Sequence, residues 1–145
     1  MASRIDGHIK TGLGLESRLV RQVVKEILAD YGIGKYDLII NSLPAKEMAE
    51  LNQRFRGIMG STDVLTFVLE SEPLEAEIYL CREQVIQSAA AKGIPLRLEA
   101  LKLIIHGLLH IAGCHHHNEI EAENNRTVME KYYIKYARQL ENDEE

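Results

Sequence analysis

Residues 96–112, with the sequence LRLEALKLIIHGLLHIA, decide the fold of this chain because they combine a long apolar run with two histidines. Pro95 before them suits the start of a helix, and Gly113 after them can take the left-handed conformation that ends one. The pattern predicts one helix over residues 96–112. We expect this helix to lie at the centre of the fold and to carry its chemistry.

Five of the six histidines of the chain lie within twelve residues of this region. His106 and His110 are four residues apart, so on a helix they leave one face with Cβ atoms about 5–6 Å apart. Gly113 would turn the chain so that a later histidine, His116 by preference, returns as a third ligand. Three neutral imidazoles suit one zinc ion, or another divalent transition metal, and leave a tetrahedral position open for an activated water.

Other roles for these residues stay open. The histidines would alternatively form a structural, hydrogen-bonded cluster, and Cys114 is either a thiolate ligand or a small packing residue. His115 and His117 are candidates for a general base because imidazole titrates near neutral pH. Solvent exposure without a chemical role is the alternative for both.

The residue after the first histidine is Gly107, where H-E-x-x-H metalloproteases carry the glutamate that deprotonates the zinc-bound water. The pattern therefore disfavours peptide hydrolysis by that mechanism. Phosphodiester cleavage depends less on a base at this position, because the ion polarises a phosphoryl oxygen while an arginine stabilises the extra negative charge. An arginine near the histidines is therefore expected.

The length of 145 residues and the 46% hydrophobic content suit one domain over residues 1–145, with an acidic tail at about 141–145. The sequence contains no segment apolar enough for a membrane span or a signal peptide, so we expect a cytoplasmic protein with no membrane partner. Cys81 and Cys114 are far apart in sequence, which fits two free thiols in a reducing compartment.

The net charge of −5 argues against a protein that coats nucleic acid through bulk positive charge, although a local basic cleft stays open. Cations of two predicted helices would line such a cleft. The alternative is that these cations belong to an ordinary solvated surface. These cations are Arg18, Arg21, Lys25, Arg54 and Arg56.

Hydrophobic spacing and turn residues predict the remaining elements. Helices are expected over residues 15–31, 45–55, 82–92 and 119–140, and strands over 36–43, 64–68 and 76–80. Along the last helix, Val128, Tyr132, Tyr133 and Tyr136 form a stripe that indicates core packing rather than base stacking. The mixed order of the elements indicates an α+β fold with a small mixed sheet packed against helices.

Three motifs, in order along the chain, carry a resemblance to a known family. Residues 106–116, HGLLHIAGCHH, resemble the H-G-x-L-H-L-x-G-Y-D-H signature of the YbeY family, bacterial metal-dependent endoribonucleases of ribosomal RNA maturation. Residues 51–57, LNQRFRG, and 62–67, TDVLTF, look like the family segments L-N-x-x-[YF]-R-x and T-D-V-L-S-F. Residues 76–81, AEIYLC, are a weaker match to G-D-I-x-I.

The resemblance implies a zincin-like domain in which His106, His110 and His116 bind the metal and Arg56 is the catalytic arginine. It also implies cleavage of single-stranded RNA in ribosomal RNA processing and ribosome quality control. RNA, the ribosomal subunit and ribosomal proteins would then be the partners. The chain departs from the family pattern at Cys114 and His115, which replace tyrosine and aspartate.

Two other functions compete with metal-assisted RNA cleavage. One is a ribosome-assembly or RNA-binding factor with a mainly structural zinc, for which a fourth protein ligand would be expected. The other is a hydrolase of a small phosphate or amide substrate, for which a narrow, closed pocket would be expected.

Overall fold

The computed structural model describes residues 4–56, 63–113 and 119–143. The elements follow in the order β1 (Arg4–Lys10), α1 (Ser17–Asp30), β2 (Tyr36–Leu43), α2 (Ala45–Arg56), β3 (Val64–Ser71), β4 (Leu74–Cys81), α3 (Arg82–Lys92), α4 (Leu96–Ile111) and α5 (Glu119–Asp143). The predicted α+β class is confirmed. In the described ranges, no helix is long and apolar enough to cross a membrane.

The described strands form one sheet in the order β1-β2-β4-β3. β2 pairs in parallel with both β1 and β4, whereas β3 pairs antiparallel with β4. The sheet is therefore mixed, as predicted. β3 is an edge strand of this sheet.

Most element bounds follow the sequence pattern, but one strand does not. The predicted strand over residues 36–43 and helix over 82–92 have the observed bounds. β3 and β4 extend beyond the predicted ranges because they meet in a hairpin. β1, RIDGHIK, is not predicted, since Ile5 and Ile9 are its only apolar residues. Its extended conformation depends on pairing with β2, which is remote in sequence.

The two faces of the sheet carry different helices. Alternate residues of a strand point to opposite faces. Leu38 of β2 and Ile78 of β4 belong to the main core together with buried residues of α1 and α4. Leu65 of β3 and Cys81 of β4 pack instead against Met48 of α2. The helices α1 and α4 therefore lie on one face of the sheet, and α2 lies on the other.

The helix α4 is central, as expected, since ten of its sixteen residues are buried. It approaches the sheet closely at Gly107. A Cβ built on this glycine would lie 3.2 Å from the Thr66 Cγ2 and 3.3 Å from the Ile78 Cγ2. Since contacts of that length are tighter than ordinary packing, glycine is what allows the helix to sit this close to β3 and β4.

The helix α5 packs against α1 through polar contacts at the edge of the core. The Tyr132 hydroxyl donates to Asp30, and the Tyr136 hydroxyl donates to both Glu26 oxygens at 3.1 and 3.2 Å. Burial, and then these hydrogen bonds, raise the pKa of both tyrosines above the usual 10.0. Both side chains are buried, so the expectation of core packing is confirmed for them.

Candidate metal centre on the central helix

Over the last three turns of α4, the residues that are not buried form one stripe. They are Lys102, which is half-buried, and His106 and His110, which are exposed. All other residues from Leu101 to Ile111 are buried. Because the three side chains are spaced by four residues, they project from the same face.

The structure brings the first two predicted ligands together on this stripe. His106 and His110 leave adjacent turns of the same helix face, at a spacing that lets two imidazoles share one ion. Their exposure argues against two core histidines satisfied by buried hydrogen bonds. Imidazole is a borderline donor, so the pair fits zinc and similar divalent transition metals.

The third predicted ligand, His116, lies outside the described residues, as do Cys114, His115 and His117. The helix ends as expected, because Gly113 takes the left-handed conformation with φ 99°. Within the described ranges, no group of three or more histidine, cysteine, aspartate or glutamate side chains could hold a metal. The third ligand therefore stays a prediction.

The segment that resembles the family's T-D-V-L motif is placed beside the histidine helix. The Cys81 amide donates to the Asp63 carbonyl at 2.9 Å, which aligns the start of β3 with the end of β4. Thr66, three residues further along, packs against Gly107, the residue after the first histidine. Two motifs more than forty residues apart in sequence thus meet at one contact.

Arg56 is the last residue of α2, and its side chain lies outside the described part of the structure. Its neighbour on the same helix, Arg54, lines a cavity of about 400 Å³ with Glu47, Glu50 and Tyr79. This cavity lies on the face of the sheet that α2 covers. Neither His106 nor His110 lines this cavity.

The idea of one basic cleft lined by both helices is wrong for the cations that the structure describes. Arg18, Arg21 and Lys25 are exposed on α1, whereas Arg54 is exposed on α2. The two helices cover opposite faces of the sheet, so these side chains do not share a cleft. Solvated surface charge remains the simpler interpretation for them.

Sequence patterns did not reveal an acidic surface on the α2 face of the sheet. Glu75 of β4 pairs in register with Asp37 of β2 and with Glu70 of β3, so the three side chains lie side by side. Glu77 follows on the same face of β4. It accepts a 3.0 Å hydrogen bond from Tyr79. Burial and this contact raise the pKa of Tyr79 to about 12.

A larger cavity, of about 1000 Å³, lies where β2 and β4 begin. Residues 32–37, after α1, and residues 71–75, in the β3–β4 hairpin, line it. None of the predicted site residues is among these, so this cavity is separate from the histidine stripe.

Comparisons with known proteins agree with the resemblance seen in the motifs. The family model described as Endoribonuclease YbeY matches residues 10–140. A protein of Thermotoga maritima named Endoribonuclease YbeY is 35% identical over 122 residues, which are 83% of this chain and 80% of that protein. One of the same name from Thermosipho melanesiensis is 30% identical over 131 residues, covering 90% and 94% of the two chains.

A solved structure is also similar. A Thermotoga maritima protein, determined in solution, superposes with a TM-score of 0.61 at 30% sequence identity. The superposition covers 87% of this chain and 89% of the other. The similarity therefore extends over the sheet and the helices and beyond the three motifs.

Proposed function

Because this chain belongs to the endoribonuclease YbeY family, we propose that it cleaves single-stranded ribosomal RNA at a metal site carried by α4. The chain is a hydrolase of the endoribonuclease class, like the relatives it matches. The observation that carries the proposal is the pair His106 and His110, exposed together on a helix whose other residues from Leu103 to Ile111 are buried.

In the proposed site, His106, His110 and His116 hold one zinc ion. The first two leave consecutive turns of α4, and the third follows the turn at Gly113. A bound zinc ion would polarise a phosphoryl oxygen and lower the pKa of water. Three protein ligands keep a tetrahedral position open, which suits a catalytic rather than a structural site.

The other residues of the site have separate tasks. Arg56 pairs with the phosphoryl oxygens of the substrate, because a guanidinium offers two parallel donors to them. It thereby stabilises the negative charge that develops during cleavage. Gly107 supplies no base, so the proton acceptor comes from elsewhere, and His115 and His117 are the candidates from the sequence.

The proposed partners are ribosomal RNA, the ribosomal subunit and ribosomal proteins, and the proposed location is the cytoplasm. The distribution of charge supports a nucleic-acid substrate on the α4 side of the sheet. The opposite face carries Asp37, Glu70, Glu75 and Glu77, which repel a polyanion. The exposed stripe of α4 contains a lysine and two histidines and no carboxylate.

The test combines metal analysis of untagged protein with cleavage of single-stranded ribosomal RNA fragments. His110→Ala should lose both bound metal and cleavage. Arg56→Ala should keep the metal and lose about 10²–10³-fold in kcat, as expected for a residue that stabilises transition-state charge. Arg54→Ala, two residues earlier on the same helix, is the matched control and should keep both.

Two results would overturn the proposal. Unchanged metal content and unchanged cleavage in His110→Ala would remove α4 as the metal site. A fourth protein ligand on the ion, such as Cys114, together with RNA binding that survives in the absence of cleavage, would indicate a structural zinc.

A further inference from the structure

Lys102 is the third member of the exposed stripe, and the proposed cleavage site does not use it. It lies one helical turn before His106, about 6 Å along the helix axis. The residue is half-buried, as is typical of a lysine whose aliphatic stem packs on the protein while its ammonium reaches solvent. Neither an ion pair nor a hydrogen bond of its side chain is found within the described ranges.

Glu99, the nearest potential partner of Lys102 along the helix, is paired with another lysine. Glu99 precedes it by three residues, a spacing at which opposite charges on a helix commonly pair. In the structure, both Glu99 oxygens instead accept from the Lys92 Nζ of α3, each at 2.9 Å. The Glu99 side chain is only 3% exposed, so it is held away from the solvent side on which the stripe lies. The contact with Lys92 thus leaves Lys102 available.

A lysine with no anionic partner among the described residues would be repelled by a metal dication bound one turn away, unless an anion lies between them. The stripe offers none, because its other members are imidazoles that stay neutral when they bind a metal. The phosphodiester backbone of RNA supplies one negative charge per nucleotide. When one phosphate lies at the metal, the adjacent phosphate of the same strand comes within reach of a long, flexible lysine one turn away.

We propose that Lys102 is a substrate-binding residue that contacts the RNA phosphate adjacent to the scissile one and so sets how the strand lies along α4. This inference rests on the proposed function, and it adds a contact outside the ligand set and Arg56. The contact is made through charge, so it holds the strand regardless of base sequence.

The experiment measures binding of an unstructured, uncleavable 2′-O-methyl RNA oligonucleotide to metal-free protein by fluorescence anisotropy, at several salt concentrations. Lys102→Gln should raise Kd about fivefold at 0.1 M salt and reduce the slope of log K against log salt by about 0.7, the contribution of one phosphate contact to a single strand. Lys102→Arg should restore both, because it keeps the charge. Lys46→Gln is the control, since Lys46 is exposed on α2, across the sheet.

Cleavage assays with metal then separate this inference from the proposed function. Lys102→Gln should raise KM with kcat and metal content nearly unchanged, and Lys102→Met, which preserves the packed stem, should behave in the same way. Wild-type Kd and salt slope in Lys102→Gln would overturn the role of Lys102 while leaving the proposed cleavage intact. An absence of cleavage in wild type would overturn the proposed function, whatever the salt slopes are.

Discussion

Gly107 lies so close to Thr66 that a Cβ on the glycine would come within 3.2 Å of the threonine methyl group. The position after the first histidine thus faces the sheet, whereas both histidines face the open side of the helix. A glutamate at this position would point into the contact between α4 and β3. The packing of the helix therefore leaves no room for a glutamate at this position.

Substitution of Gly107 should destabilise the fold. An added methyl meets Thr66 and Ile78, whose β-branched side chains adjust poorly, so Gly107→Ala should cost about 1–2 kcal/mol despite the better helix propensity of alanine. Gly107→Glu should cost more and should create no peptidase activity. Urea unfolding measures the cost.

The contact itself can be isolated with two further variants. Thr66→Ser removes the facing methyl group and should recover part of the loss in Gly107→Ala, which would appear as coupling in a double-mutant cycle. Gly34→Ala is the control, because nothing lies within 4 Å of a Cβ built there. Equal stability of Gly107→Ala and wild type would contradict the close approach.

Metal binding should stabilise the folded protein in a way that depends on the histidine stripe. Zinc at about 100 times its Kd should add about 2.7 kcal/mol of stability, because it binds the folded state selectively. For a chain of this size, that corresponds to a rise in Tm of roughly 5–10 °C. Thermal unfolding should show the rise in wild type and not in His106→Ala, and a chelator should reverse it.

The buried Glu99 should depend on Lys92. Lys92→Met removes the partner of a nearly buried carboxylate, and breaking a buried pair costs about 3–5 kcal/mol when the remaining charge finds no other partner. Since the Lys92 side chain is 45% exposed, we expect a smaller loss, about 2 kcal/mol, in urea unfolding. Lys46→Met should change stability by less than about 0.5 kcal/mol.

The same substitution also bears on RNA binding. Without Lys92, Glu99 becomes free to pair with Lys102 at the i, i+3 spacing, which would draw the ammonium away from a phosphate. Lys92→Met should therefore weaken RNA binding, although Lys92 lies on α3. If Lys92→Met binds RNA as tightly as wild type does, the competition for Glu99 has no influence on Lys102.

Alkaline pH should loosen the contact between α5 and α1. The folded state raises the pKa of Tyr132 above its usual 10.0 through burial and then through Asp30. The folded state therefore holds this proton more tightly than the unfolded state, and stability falls as pH rises above about 10. The stability that the protonated Tyr132 contributes is fully present below pH 10, and it is lost as the pH rises through the raised pKa.

Thermal unfolding between pH 8 and pH 11 checks this expectation. Tyr132→Phe should be less stable at pH 8 by about 1 kcal/mol, because a hydrogen bond is lost, and should lose less stability on going to pH 11. Asp30→Asn keeps an acceptor but removes the charge. The pH dependence of its stability should therefore fall between those of wild type and Tyr132→Phe. Parallel profiles for all three proteins would exclude Tyr132 as the source.

Local sequence patterns were sufficient to predict those features of the structure that depend on residues within a few positions of one another along the chain. Hydrophobic spacing, with Gly93 and Gly113 as helix ends, predicted α3 and α4 to within one residue. The four-residue interval between His106 and His110 placed them on one face, because helical geometry alone decides that.

Tertiary contacts decided what depends on residues far apart in sequence. β1 is a strand because β2 pairs with it, and α2 is separated from α4 because the sheet lies between them. Helical spacing alone would pair Glu99 with Lys102, but Lys92 of a different helix takes both carboxylate oxygens. A buried charge binds the partner that the packing brings nearest, and packing is a property of the whole chain.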